Sequence, residues 1–184
     1  MKNKTKQIIP IKIGIIVIPI IIILYLINVN YLFDQEITYH YDIGSKDDNY
    51  LYPSDRTSNK IEENEVNYRT ISEGLVYFYN NYLPPGTKTI EVTIRFKNNF
   101  PESGKLSLGA KNNDGWGYTS NKIFENTEEN NDEWITKKFI YDFETDKLER
   151  GEKGDYFFVL RTPHLGQEEY KNYTIPIDYI NITI

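Results

Sequence analysis

Cysteine is absent from all 184 residues. That excludes disulfides, thiol catalysis and cysteine-held zinc. A domain without disulfides must hold itself by its apolar core, and about 150 residues suffice for one. Histidine is almost absent as well: His40 and His164 are the only two, and no local signature ties either to a nucleophile. No glycine-rich phosphate loop occurs. Convincing amphipathic helical periodicity is missing throughout. Positive charge is scarce beyond the start of the chain. Lys2, Lys4, Lys6 and Lys12 are the only charges before Asp34, so the remainder carries −10 against a whole-chain −6. Such an acidic remainder excludes nucleic acid as a partner, because phosphate binding needs clustered Lys and Arg. It is compatible with a cation or a neutral ligand. Glycosidic hydrolysis needs two carboxylates facing one cleft. Among 27 acidic residues some pair always suits on paper, so the composition carries no catalytic signal. The expectation is a protein that is not an enzyme.

What the chain does have is a run of Ile, Val and Leu over residues 8–29, with no charge from Ile13 through Phe33. About 17 such residues are enough to cross a bilayer core as a helix. The run is therefore expected to be a single-pass transmembrane anchor. A cleaved signal peptide would need small residues at a cleavage site, and Tyr25-Leu26-Ile27-Asn28-Val29-Asn30-Tyr31 offers bulky ones. A pilin-like leader is only hinted at by Lys12-Ile13-Gly14. The lysines place the N-terminus inside and the C-terminal part outside. The expected organisation is a basic cytoplasmic tail at 1–7, the anchor at 8–29, a linker at 30–35 and an extracytoplasmic domain at 36–184. The lipid bilayer is then one partner, and the cell membrane the location.

Beyond Phe33 the pattern changes to short alternating runs. The clearest is Thr89 to Lys97, with Ile90, Val92, Ile94 and Phe96 on one side and Glu91, Thr93, Arg95 and Lys97 on the other. That is a half-buried strand with one wet face. Further strands are expected near residues 37–41, 66–71, 74–79, 105–110, 118–124, 133–143, 155–161 and 174–184. Asp42 to Glu65 reads as a long loop with one short edge strand at Tyr50-Leu51-Tyr52. About eight or nine short strands separated by turn signals predict an all-β, antiparallel β-sandwich.

Three pieces occur in order in the second half. Ile90 to Phe96 is followed by Leu106-Ser107-Leu108-Gly109-Ala110-Lys111, then by Trp134 to Tyr141, and last by Ile177-Asp178-Tyr179-Ile180-Asn181-Ile182. This order resembles the jelly-roll sandwiches of galactose-binding-like domains and related carbohydrate-binding modules, over roughly residues 87–184. In those a Trp opens a late strand and an Asp-containing strand closes the domain. The resemblance implies glycan or cell-surface binding, sometimes with a structural calcium. It places no ligand residue.

The residues themselves offer one candidate platform. Trp116 and Tyr118 lie in or beside a loop rich in Gly and Asn, where Asn112, Asn113 and Asp114 would bond sugar hydroxyls. The alternative is that Trp116 folds back onto the core. Trp134 is expected to pack in the core. Asp47, Asp48, Asp55, Asp114, Asp132 and Asp178 match no EF-hand spacing, which leaves a structural calcium possible without a defined site. Asn172-Tyr173-Thr174 and Asn181-Ile182-Thr183 are glycosylation sequons. The expected function is a membrane-anchored surface binding module for a glycan or another envelope component. The alternative is a structural or assembly subunit of an envelope complex or filament with no small ligand.

Overall fold

The computed structural model describes residues 8–31, 36–45, 50–72, 74–99, 105–111, 118–125, 132–148, 150–151, 154–162, 168 and 173–184. The chain divides into two units, residues 1–35 with 84–86 and residues 36–83 with 87–184.

In the first unit, α1 runs over Ile8–Tyr31 and contains Pro19. Apolar residues surround the helix on all sides, so it has no polar face. Its side chains are described over 17–28, and all of them are exposed. Among the described residues no helix is long and apolar enough to cross a membrane. The expected single-pass anchor, its bilayer partner, and the placement at a cell membrane with the N-terminus inside are corrected accordingly.

Among its described residues the second unit holds ten antiparallel strands in two sheets. β1 (Thr38–Asp42), β2 (Ile61–Glu63), β3 (Val66–Ile71), β5 (Thr89–Lys97), β8 (Trp134–Asp142) and β10 (Ile175–Thr183) form the first. β4 (Val76–Tyr82), β6 (Lys105–Lys111), β7 (Tyr118–Glu125) and β9 (Asp155–Arg161) form the second, in the order β4-β9-β6-β7. β10 is the spine of the larger sheet. One of its edges pairs with β5 along most of its length. The other edge is shared: β3 takes Ile175 to Ile177, and β1 takes Tyr179 to Thr183.

The sequence of β10 explains that division. Ile175, Ile177, Ile180 and Ile182 are all buried, yet their spacing breaks strict alternation between 177 and 180. The pairing with β5 shifts register between Ile177 and Tyr179. The bulge absorbs the extra residue, and every isoleucine still points inward. These side chains and Ile90, Val92, Ile94 and Phe96 of β5 face Leu106, Leu108 and Ala110 of β6 and Tyr156, Phe158 and Leu160 of β9. Fully burying each large apolar side chain contributes about 1.5–3 kcal/mol.

Two polar contacts lock the sandwich. The Tyr141 hydroxyl on β8 donates to the Leu108 carbonyl on β6 at 2.6 Å, joining the two sheets through the core. Burial holds that phenol far above its ordinary pKa, so it remains a donor. Arg69 on β3 is buried, and its guanidinium donates to the carbonyls of Ile43, Ser45 and Ser58. It pins the chain after β1 and the chain before β2 onto β3.

The region 42–65 departs from the expected loop. Tyr52 makes a single bridge to Tyr77 rather than a strand. A 3-10 turn follows at Ser54–Arg56, and β2 then forms a hairpin with β3. The two-residue connection, Asn64 and Glu65, has positive φ at both positions (50° and 66°). That is the handedness tight hairpins require, although Glu rarely signals it.

Removing the Tyr141 hydroxyl deprives the Leu108 carbonyl of its partner across the core. Tyr141→Phe should lower stability by about 1–2 kcal/mol, read as a lower urea midpoint with an unchanged slope. An unchanged midpoint would show that the strut contributes nothing net.

Candidate functional site

The sandwich has two outer faces, and they differ in chemistry. On the four-stranded sheet, alternation sends Tyr156, Phe158 and Leu160 inward, so Asp155, Phe157, Val159 and Arg161 point outward. Cross-strand register then sets the neighbours. Val159 pairs with Tyr77 on one side and Gly109 on the other, and Tyr52 bridges to Tyr77 at the sheet edge. Tyr82 sits opposite Asp155, and Ser107 lies between Arg161 and Ile123. The result is a row of rings. Tyr77 and Phe157 meet edge to face at 6.1 Å, and Tyr52 and Tyr82 are 56% and 44% exposed. Between β7 and β9 this face is covered, because Val159, Ser107 and Gly109 are all buried.

The six-stranded sheet presents charge instead. Trp134 is not in the core. Phe139 and Tyr141 are buried and Ile135 packs against the core, so parity turns Trp134 outward. Its ring is enclosed by neighbours. Tyr68 meets it edge-on at 5.4 Å, with the Arg95 guanidinium 5.4 Å and the Lys97 ammonium 5.8 Å from its centre. Lys97 also pairs with Glu63 at 3.0 Å, and Tyr68 donates to the same carboxylate. Those two hydrogen bonds, with Lys97's first, hold the Glu63 carboxyl below its ordinary range. The bond to Glu63 likewise raises Lys97. A ring so enclosed is a cation–π pillar rather than a bare stacking surface.

Beside it lies a groove of about 260 Å³ on the same face. It opens where β1 and β3 meet on the edge of β10, at the bulge. The Asp178 carboxylate accepts from Arg95 at 2.6 Å. Asp178 nevertheless titrates above its ordinary value, because burial outweighs the favourable guanidinium and nearby Asp42 repels its charge. The Asn181 side-chain oxygen accepts from His40 Nδ1 at 2.6 Å, and the His40 and Tyr179 rings lie 5.7 Å apart.

Of the residues singled out from sequence, Asn112, Asn113, Asp114 and Trp116 lie outside the described residues, as do Asn172, His164, Asp47 and Asp48. Tyr118 opens β7, and its backbone pairs with Lys111 at the end of β6. Asn181 is on the outer face of β10, bonded to His40, and the sequon's Thr183 hydroxyl lies 2.9 Å from that of Thr38. Asp55 sits in the 3-10 turn, Asp132 precedes β8 and Asp178 forms the bulge. Among the described residues no group of three or more His, Asp or Glu side chains is arranged to hold a metal ion. The ring row and the groove escaped the sequence reading because their members come from strands far apart in the chain.

No protein-family model matches the chain. No curated protein matches it either. Solved structures do. The carbohydrate-binding module TmCBM27, described for specific mannan recognition, superposes with a TM-score of 0.51 at 13% identity, covering 81% of this chain and 98% of that one. The xylan-binding module CBM15 gives 0.50 at 13% identity, covering 82% and 97%. The CBM22-2 xylan-binding domain of Paenibacillus barcinonensis Xyn10C gives 0.50 at 10% identity, covering 79% and 98%. The sandwich therefore has the jelly-roll fold of carbohydrate-binding modules. At these identities the likeness establishes the fold alone.

Asp178 holds its proton more tightly folded than unfolded. Its contribution to stability is therefore full in acid and declines as pH rises from the ordinary value of 3.8 through the raised one. Asp142 acts in the opposite sense. The Thr145 amide and hydroxyl hold its carboxyl low, so its contribution is present above 3.8 and lost as pH falls through the lowered value. Asp178→Asn should thus gain stability relative to the parent as pH rises above 3.8, measured as the difference in urea unfolding free energy. A pH-independent difference would refute the assignment.

Proposed function

We propose that the chain is a non-catalytic carbohydrate-binding module whose ligand lies along the outer face of the four-stranded sheet. The observation that carries this reading is the ring row of Tyr52, Tyr77, Phe157 and Tyr82, in which Tyr52 and Tyr82 are exposed. Sugar rings present apolar C–H faces with hydroxyls at the rim. Aromatic side chains cover the former at low entropic cost, and Arg161 and Asp155 supply donors and acceptors for the latter. The Trp134 face lacks an equivalent surface, because its ring already carries Tyr68, Arg95 and Lys97.

The loop holding Asn112, Asn113, Asp114 and Trp116 springs from Lys111, one step past Ala110, which pairs with Phe158. We include Trp116 and its Asn neighbours as an extension of the same binding face. A linear polysaccharide fits an open row of rings better than a single enclosed sugar does. Xylan and mannan, the ligands named for the modules of like fold, are the first to try.

Affinity electrophoresis or calorimetry with xylan and mannan should detect binding. Tyr52→Ala and Tyr82→Ala should each weaken it by about three- to tenfold while the far-ultraviolet spectrum stays unchanged. Unchanged affinity in both variants would remove the ring row as the site. Failure to bind any polysaccharide, together with isolation of the chain in a stoichiometric complex, would favour a structural subunit.

A further inference from the structure

The ring row ends at Tyr82, whose register partner is Asp155 at the start of β9. Register partners share a face of the sheet, so the exposed phenol and the exposed carboxylate stand side by side there. The turn that leads into β9 holds two glycines. The Gly154 N–H donates to the Gly151 carbonyl at 2.9 Å, and the Gly151 N–H donates to the Asp155 carbonyl at 3.0 Å. Each glycine lies against one member of the pair. A Cβ on Gly154 would stand 2.7 Å and 3.0 Å from two carbons of the Tyr82 ring. Carbon atoms in contact sit about 3.5–4.0 Å apart. A Cβ on Gly151 would overlap the Asp155 carboxylate.

The two glycines differ in what demands them. Gly154 has a φ of 74°, so its backbone alone favours glycine. Gly151 has no positive φ, so space alone calls for glycine there. The backbone around the ring is tied down on two sides. The Tyr82 carbonyl accepts from the Tyr39 hydroxyl at 2.9 Å. The Leu83 N–H donates to the Gly154 carbonyl at 3.0 Å, and the Leu83 side chain is fully buried. The exposed side chains are therefore the parts that give way. A methyl group at 154 turns the Tyr82 ring, and one at 151 swings the Asp155 carboxylate. Binding constellations tolerate only about 0.5 Å and 10–20° of misplacement, so either shift spoils the pair as a surface for a ligand.

We infer, on the sugar-binding reading of the ring row, that Gly151 and Gly154 are positioning residues for its last subsite. Gly154 seats the Tyr82 ring so that its face stacks on a sugar. Gly151 seats the Asp155 carboxylate so that it accepts from that sugar's hydroxyls. Neither glycine touches the ligand, and each acts through the side chain packed against it.

The test is a pair of double-mutant cycles on the full-length chain, Gly154→Ala with Tyr82→Ala and Gly151→Ala with Asp155→Ala. Each is read by calorimetry with xylan and mannan and by urea unfolding. Gly154→Ala should weaken binding by about three- to tenfold, as Tyr82→Ala does. Added to Tyr82→Ala, it should change affinity by less than about twofold, because the ring it moves is gone. Gly151→Ala should match Asp155→Ala within about twofold and add as little to it. It carries no positive-φ strain, so it decides the matter if Gly154→Ala fails to fold. Each glycine variant should also lower the urea midpoint less when its partner is already alanine. Additive losses of affinity in a parent chain that binds would overturn the positioning role, and coupled urea midpoints alone would reduce the glycines to packing. A parent chain that binds no polysaccharide would sink the sugar reading itself and this role with it, whereas the urea cycles would still report the two contacts.

Discussion

Everything on the larger sheet depends on how β10 divides its edge. A strand of nine residues normally takes one neighbour on each side. Here one side takes β3 at Ile175 to Ile177 and β1 at Tyr179 to Thr183, with the register shift at Asp178 between them. If the strand ran without a bulge, Ile180 and Ile182 would point to solvent, since a one-residue slip moves every side chain to the other face. The core demands the bulge, and the bulge opens the groove. It also buries the Asp178 carboxyl enough to raise its pKa despite a guanidinium at 2.6 Å. Packing on one side of the sheet thereby shapes the electrostatics on the other.

Much of this architecture is legible in the residues. The alternation of Thr89 to Lys97 names its buried face correctly, residue by residue. The break in the isoleucine spacing at Asp178-Tyr179 is visible too, and it is the local mark of the bulge. Trp134 shows how parity can outweigh composition. Large aromatic residues are usually buried, but Phe139 and Tyr141 claim the inward positions of β8, so Trp134 faces out. The Asn64-Glu65 turn is harder to read, because Glu seldom takes positive φ. Which strands become neighbours is harder still. β5 and β10 are about eighty residues apart, and period-2 patterns carry no pairing information.

The apolar run before the sandwich shows a different limit. Its helical character is real, since α1 covers Ile8–Tyr31. Composition identifies the helix, but among the described residues no helix is long and apolar enough to cross a membrane.

The candidate surfaces follow from the same parity. In a sandwich every inward residue leaves an outward neighbour, so each sheet has one face that core packing does not specify. On the smaller sheet the outward positions hold Tyr77, Phe157 and Tyr82. On the larger they hold Arg95, Lys97, Glu91 and Lys138, which pair among themselves and with Glu63 and Asp178. Exposed ion pairs contribute about 0–1 kcal/mol each, so stability alone explains little of that network. Its consequence is to occupy Trp134 and neutralise Arg95. The first removes the large ring from recognition on that face. The second leaves Asp42 and Glu65 without a cationic partner among the described residues. Among the described residues the exposed rings of Tyr52 and Tyr82 thus go with the smaller sheet, and the carboxylates of Asp42 and Glu65 with the larger.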